Sequence, residues 1–146
     1  MNWKIVTIGK PALPWARDAV ADYLARLSRT AKVEWMALKE GPVEQVEKAM
    51  MLAGEGSYRI ALDERGKQMR STALAQWIKS KELSATKRVC LFVGGADGHS
   101  QRFRESVQET WALSTMTLQH EMALIVLLEQ IYRAGTINRG EPYHRE

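Results

Sequence analysis

The sequence has a single cysteine among its 146 residues, so no disulfide can form within the chain. Cys90 lies inside the apolar run Val89-Cys90-Leu91-Phe92-Val93 and reads as a buried, reduced thiol rather than a nucleophile. No Cys/His spacing suggests zinc. No uninterrupted apolar run reaches membrane-spanning length, and Met1-Asn2-Trp3-Lys4 leads directly into a strand-like run instead of an apolar signal region. The expected location is the cytoplasm. The first strand-like run ends in Gly9-Lys10-Pro11, so a Gly-x-Gly-x-x-Gly dinucleotide turn is missing. A P-loop, a Gly-x-Ser-x-Gly elbow and a recognisable Ser, His and Asp arrangement are absent too. There is no long lysine tract, aromatic RNA-binding signature, internal repeat or low-complexity linker.

With 45% hydrophobic residues the chain can bury one core, which predicts a single domain over residues 1–146. Twenty-one Lys and Arg against seventeen Asp and Glu give a net charge of +4, mildly favourable to a polyanionic partner.

Strand and helix signals alternate almost to the end, an α/β pattern. Ile5-Val6-Thr7-Ile8 is β-rich, and after Pro14 come Trp15, Ala19, Tyr23 and Leu27 at helical spacing. Val33, Trp35 and Ala37 share one face of a second strand, and Gly41-Pro42 opens a helix carrying Val43, Val46 and Met50. Tyr58-Arg59-Ile60-Ala61-Leu62 reads as a third strand, followed by a polar loop. Ser71 is then placed to cap a helix that buries Leu74, Trp77 and Ile78. The apolar run over residues 88–93 predicts a mid-sheet strand covered on both faces. Ser100 can cap the next helix, with Phe103 and Val107 one turn apart and Arg102 and Arg104 outward, and residues 111–118 read as extended or looped. The last helix, over residues 121–134, carries Leu124, Ile125, Val126, Leu127, Leu128 and Ile131 around most of its circumference. Either it is sandwiched within the domain or its second face meets a partner, and the small size favours a homodimer. Gly135 suits its C-terminal cap.

Two segments carry chemistry. Gly94-Gly95-Ala96-Asp97-Gly98 follows the expected central strand and falls at the carboxyl end of the sheet, where open α/β folds place ligands. Its glycines serve a close ligand approach or simply a tight turn, and Asp97 accepts from a sugar hydroxyl or caps that turn. His99 reads as a surface loop residue. The chain closes on Tyr143-His144-Arg145-Glu146, where Tyr143 and His144 can transfer protons, Arg145 can grip a phosphate and Pro142 stiffens the approach.

Several elements in order, at family spacing and across the whole chain, resemble the RlmH type of SPOUT RNA methyltransferase. They are the run from Ile5 to Gly9; Ile60-Ala61-Leu62-Asp63 followed by Gly66-Lys67; the glycine loop; and Leu113-Ser114-Thr115-Met116-Thr117-Leu118. His120, Glu129-Gln130-Ile131-Tyr132-Arg133-Ala134 and the closing Arg139-Gly140-Glu141-Pro142-Tyr143-His144-Arg145-Glu146 complete the set. The resemblance implies a mainly parallel sheet flanked by helices, with a C-terminal trefoil knot, in a homodimer. It implies S-adenosyl-L-methionine as methyl donor and, as substrate, N3 of a pseudouridine in a stem-loop of large-subunit ribosomal RNA. Leu62, Gly94, Gly95, Leu113, Ser114, Thr115, Met116, Thr117 and Leu118 are then expected to cradle the cofactor. His144 or Tyr143 would act as base, Arg133, Arg139 and Arg145 would hold RNA, no metal is needed, and the tail of one subunit would serve the cofactor of the other. The family usually shows Pro-His, with Arg three residues after the His, where this chain has Gln119-His120 and Ala123. Those positions motivate the alternative of a noncatalytic RNA- or ribosome-binding module on the same scaffold.

Overall fold

A computed structural model of the chain describes residues 1–95 and 97–143. In chain order the elements are β1 (Asn2–Ile8), α1 (Pro14–Ser28), β2 (Lys32–Leu38), α2 (Val43–Ala53), β3 (Tyr58–Gln68), α3 (Ser71–Leu83), β4 (Arg88–Val93), α4 (Gln101–Ser106), β5 (Glu109–Ala112) and α5 (His120–Arg139). The five strands form one sheet in the order β2-β1-β4-β3-β5, and every pairing is parallel. The expected α/β class and central strand are both present.

Alternation along β4 builds the two sides of the core. Val89, Leu91 and Val93 face the larger cluster, beneath α1, α3 and α5, while Cys90 and Phe92 face the smaller one, beneath α2 and α4. All five are buried, as expected for a parallel strand covered on both faces. Burial pushes the Cys90 thiol up to about 12, so it stays protonated at neutral pH, in line with the inert reading.

The apolar girth of α5 has its explanation within the chain. The helix packs against both α1 and α3, burying Leu124, Leu127, Leu128 and Ile131 while leaving Ile125 and Val126 half-buried. Packing between α1 and α3 accounts for the four buried residues, and Ile125 and Val126 keep part of their surface exposed.

Local expectations differ from the structure at several places. The polar stretch after Leu62 is strand, because β3 runs on to Gln68 and re-pairs with β5 after a register shift between Leu62 and Lys67. A β-carbon on Gly66 would lie 2.6 Å from the Thr110 backbone, so only glycine allows this approach. Ser71 is the first residue of α3 rather than its cap, and its hydroxyl donates to the Gln130 side chain at 2.6 Å. Ser100 does cap α4, accepting from the Phe103 amide. On α1 the buried positions are Ala16, Val20 and Leu27, while Trp15 is about half exposed and packs outside the core. Helix α5 continues through Gly135 and ends at Gly140, whose φ of 70° makes it the left-handed cap.

Candidate functional site

A cleft of about 370 Å³ opens at the carboxyl ends of β3 and β4, within the usual size range of small-molecule sites. Its floor is Leu62 and Val93; one wall is the glycine loop with Gly94, Gly95, Asp97 and Gly98. The other wall is the crossing that follows β5, with Leu113, Ser114, Met116, Thr117 and Leu118, and the first turn of α5 closes it with Gln119, His120 and Ala123. Of the nine residues expected to cradle a cofactor, eight line this cleft. Thr115 is exposed and lies outside the lining.

Backbone geometry explains the glycines. At Gly94 a β-carbon would meet the Gly98 backbone at 3.1 Å, and Gly98 itself has φ of +71°. Ser114 turns the opposite wall by accepting the Met116 amide at 3.0 Å. The Thr117 hydroxyl donates to the Glu64 carboxylate, tying that wall to β3. Met116 is 75% exposed at the rim of the cleft.

A buried carboxylate that sequence reasoning passed over holds the floor to the glycine loop. Asp63 Oδ1 accepts the Arg65 amide and Nε, and Oδ2 accepts the Arg65 terminal nitrogen at 3.1 Å and the His99 amide at 3.4 Å. Burial opposes its ionisation, but the Arg65 guanidinium and the two amides outweigh that and hold Asp63 at about 2. His99, expected on the surface, is buried instead, only 3% exposed. Its ring stacks on Phe103 at 4.9 Å and places Nε2 3.0 Å from the Phe92 carbonyl. Burial lowers its pKa, so Nε2 donates to that carbonyl from a neutral ring. Arg104 turns inward as well, donating to the His99 carbonyl at 2.6 Å, with its guanidinium 3.9 Å from Asp63. The sequence signal for this cluster was an Asp directly after the apolar run Ile60-Ala61-Leu62, inside β3.

Glu121, another residue missed from the sequence, is buried in the first turn of α5 and accepts the Ala12 and Leu13 amides. This anchors the loop between β1 and α1 beside the cleft and puts negative charge at a helix N-terminus. Gln119 caps the same helix through the Met122 amide, and Ala123 adds a small wall residue. Neither departure from the family pattern obstructs the cleft.

Of the residues expected to meet RNA or move protons, the described ones, Arg133, Arg139 and Tyr143, lie outside the cleft lining. Arg133 pairs with Glu129 at 2.6 Å, and Arg139 pairs with Glu141 at 2.7 Å. Tyr143 is half-buried between Tyr23 and Glu129, and its phenol is raised well above the ordinary range, first by burial and then by the Tyr23 hydroxyl and the Glu129 charge. His144 and Arg145 lie outside the described residues. Among the described residues no group of His, Cys, Asp and Glu is placed to hold a metal ion, and no helix is long and apolar enough to cross a membrane.

A parallel α/β sheet with a glycine-walled cleft at its carboxyl edge is a ligand-binding class of fold, and the full-length comparison specifies which one. The family described as "Predicted SPOUT methyltransferase" matches residues 1–144, and the chain belongs to it. Among its relatives is the protein named "Ribosomal RNA large subunit methyltransferase H" of Deinococcus radiodurans, 38% identical over 146 residues covering 99% of each chain. A protein of the same name from Thermus thermophilus is 39% identical over 145 residues, again with 99% of each chain covered. Among solved structures, a Legionella pneumophila protein described as a methyltransferase, in complex with the cofactor SAM, shares the fold with a TM-score of 0.51. It is 12% identical, with 92% of this chain and 66% of that one covered.

Proposed function

We propose that the protein is an S-adenosyl-L-methionine-dependent methyltransferase acting on large-subunit ribosomal RNA, at N3 of a pseudouridine in a stem-loop. The observation that carries this reading is the cleft between the glycine loop and residues 113–118, in a chain aligned along nearly its whole length with relatives named for ribosomal RNA methylation.

The donor set fits an adenosyl group. Leu62, Val93, Leu113, Leu118 and Ala123 offer apolar surface for a ring, while Gly94 and Gly95 leave backbone accessible to its polar edge. When bound, S-adenosyl-L-methionine supplies a methyl group already activated as a sulfonium. The residues then have to orient acceptor against donor, exclude water and remove the N3 proton. His144 is the better candidate for that base, since the Tyr143 hydroxyl is already engaged by Tyr23 and Glu129. Arg145, Arg139 and Arg133 supply positive charge for phosphate or for the pyrimidine carbonyls, Arg133 and Arg139 by exchanging their present carboxylate partners.

A homodimer with a knotted C-terminal segment completes the reading. Helical spacing places Glu129 about 120° around α5 from Ala123 and about 9 Å further along the axis. The Tyr143 contact is therefore offset from the chain's own cleft, which suits a tail serving the cofactor held by the partner subunit. The chain would act as one domain, in the cytoplasm with ribosomes, without a metal.

The test is calorimetric titration with S-adenosyl-L-methionine, followed by transfer of its labelled methyl group to ribosomes for the parent and for His144→Ala. Binding in both with transfer only in the parent supports the reading. A chain that binds ribosomes but not the cofactor would favour the noncatalytic module.

A further inference from the structure

A polar cluster between α1 and α5 contains Glu129 and Tyr23, to which the proposed reaction gives no role. Glu129, on α5 and only 18% exposed, gathers three side chains. Arg133 donates to Oε1 through Nε at 2.9 Å and through a terminal nitrogen at 2.6 Å, and Gln130 donates to Oε2 at 2.8 Å. The third donor is the hydroxyl of Tyr143, 3.2 Å from Oε1 and 3.1 Å from the Tyr23 hydroxyl on α1. The Tyr143 ring stands edge-on to Tyr132 at 4.8 Å and lies beneath the Arg133 guanidinium at 5.1 Å.

This arrangement joins the far end of the chain to two helices. Gly140, in its left-handed conformation, ends α5 and turns the backbone so that residue 143 reaches back to residue 129. Packing alone would need only an aromatic ring at position 143. A largely buried carboxylate is costly unless its partners are well placed, and here one partner is the tail itself.

We propose that Glu129 and Tyr23 are positioning residues that dock the tail through the Tyr143 hydroxyl and fix the point from which His144 and Arg145 depart. The proposal rests on the methyltransferase reading above and deepens it. Tyr143 then works by keeping its proton and donating a hydrogen bond to Glu129, and the dock acts on methyl transfer while leaving the cofactor cleft untouched.

Tyr143→Phe and Tyr23→Phe keep both rings and delete one hydroxyl each. Single-turnover methyl transfer is expected to slow by about tenfold in Tyr143→Phe, the scale of one hydrogen bond to a charged group, and by less in Tyr23→Phe, which loses a bond between two neutral hydroxyls. Cofactor affinity should remain that of the parent. The pH–rate profile should keep its apparent pKa at reduced amplitude. The double variant should be no slower than Tyr143→Phe alone, because both changes act through one hydroxyl. Trimming by carboxypeptidase should speed up in each variant, and this arm reads the dock even if the parent transfers no methyl group. Glu129→Gln, which keeps an acceptor, should retain more transfer than Glu129→Ala; should the latter fail to fold, the tyrosine variants still decide.

Full transfer with unchanged trimming in Tyr143→Phe would overturn the proposal. So would loss of the limb on which the rate rises with pH, which would make Tyr143 the base, or a parallel loss of cofactor affinity.

Discussion

The carboxylate of Asp63 accepts both the backbone amide and the guanidinium of Arg65, at 3.0 and 2.8 Å, so the bend in β3 is locked by its own side chains. The second oxygen reaches the His99 amide, which couples that bend to the loop forming one wall of the cleft.

Asp63→Asn should therefore damage the cleft as well as the fold. The amide can keep a contact with the backbone but loses the charge that holds the Arg65 guanidinium, a loss of about 1.5–3 kcal/mol. Urea unfolding should show that decrease, and titration calorimetry should show cofactor binding weakened by about tenfold. Unchanged binding would mean that the glycine loop is held by its other contacts.

Acid should weaken the fold in two windows. His99 and Asp63 both have folded pKa values below their ordinary ones, so each contributes fully above its unfolded pKa and loses that contribution as pH falls. The His99 window opens below about pH 6.5, and the Asp63 window runs from about 4 towards 2 and is worth about 2 kcal/mol. Measured by urea midpoints against pH, His99→Gln should remove the first window and Asp63→Asn should shrink the second. The Glu109 carboxylate, its burial outweighed by Tyr58, Trp111 and Trp77 hydrogen bonds that lower its pKa, also takes part in that second window. A window left at full size in its own variant would contradict the assignment.

These two groups mark where sequence reading reached its limit. The apolar run of β4 announced a central strand because covering both faces requires unbroken apolar side chains, and the glycine loop after it announced the cleft. Asp63, Arg65 and His99 are brought together by strand pairing across 36 residues of sequence, and no local pattern carries that. Position 99 looked exposed because it follows a glycine loop, yet its ring fills space beside Phe103. Gly135 and Ser71 failed for a different reason. Both obey local capping rules, but packing of α5 between α1 and α3 carries the helix past Gly135, and Ser71 donates to Gln130 across that interface.

Gly66→Ala should separate β3 from β5. A β-carbon there meets the Thr110 and Trp111 backbone at 2.6–2.7 Å, so β5 must shift and carry residues 113–118 away from the cleft. The expected cost is about 1–3 kcal/mol, as for overpacking elsewhere, with weaker cofactor binding. Thermal unfolding and calorimetry on one preparation would check it; parent-like values in both would show that β5 yields without disturbing the wall.

RNA affinity should fall steeply with salt. A net charge of +4 favours phosphate contacts in recognition. Filter binding of a folded ribosomal stem-loop between low and physiological salt should give a linear loss on logarithmic axes, and unstructured oligonucleotides should bind and react poorly. Equal methylation of both RNAs would contradict recognition by shape.

The central claim is most directly tested by incubating the purified protein with labelled S-adenosyl-L-methionine and ribosomes from cells lacking this activity, then mapping the methyl group by mass spectrometry of the large-subunit RNA. The expected result is one methyl group, on N3 of one loop pseudouridine, absent with His144→Ala. Cofactor binding without any methyl group on that RNA, or a methyl group that persists in His144→Ala, would contradict the assignment of substrate or of base respectively.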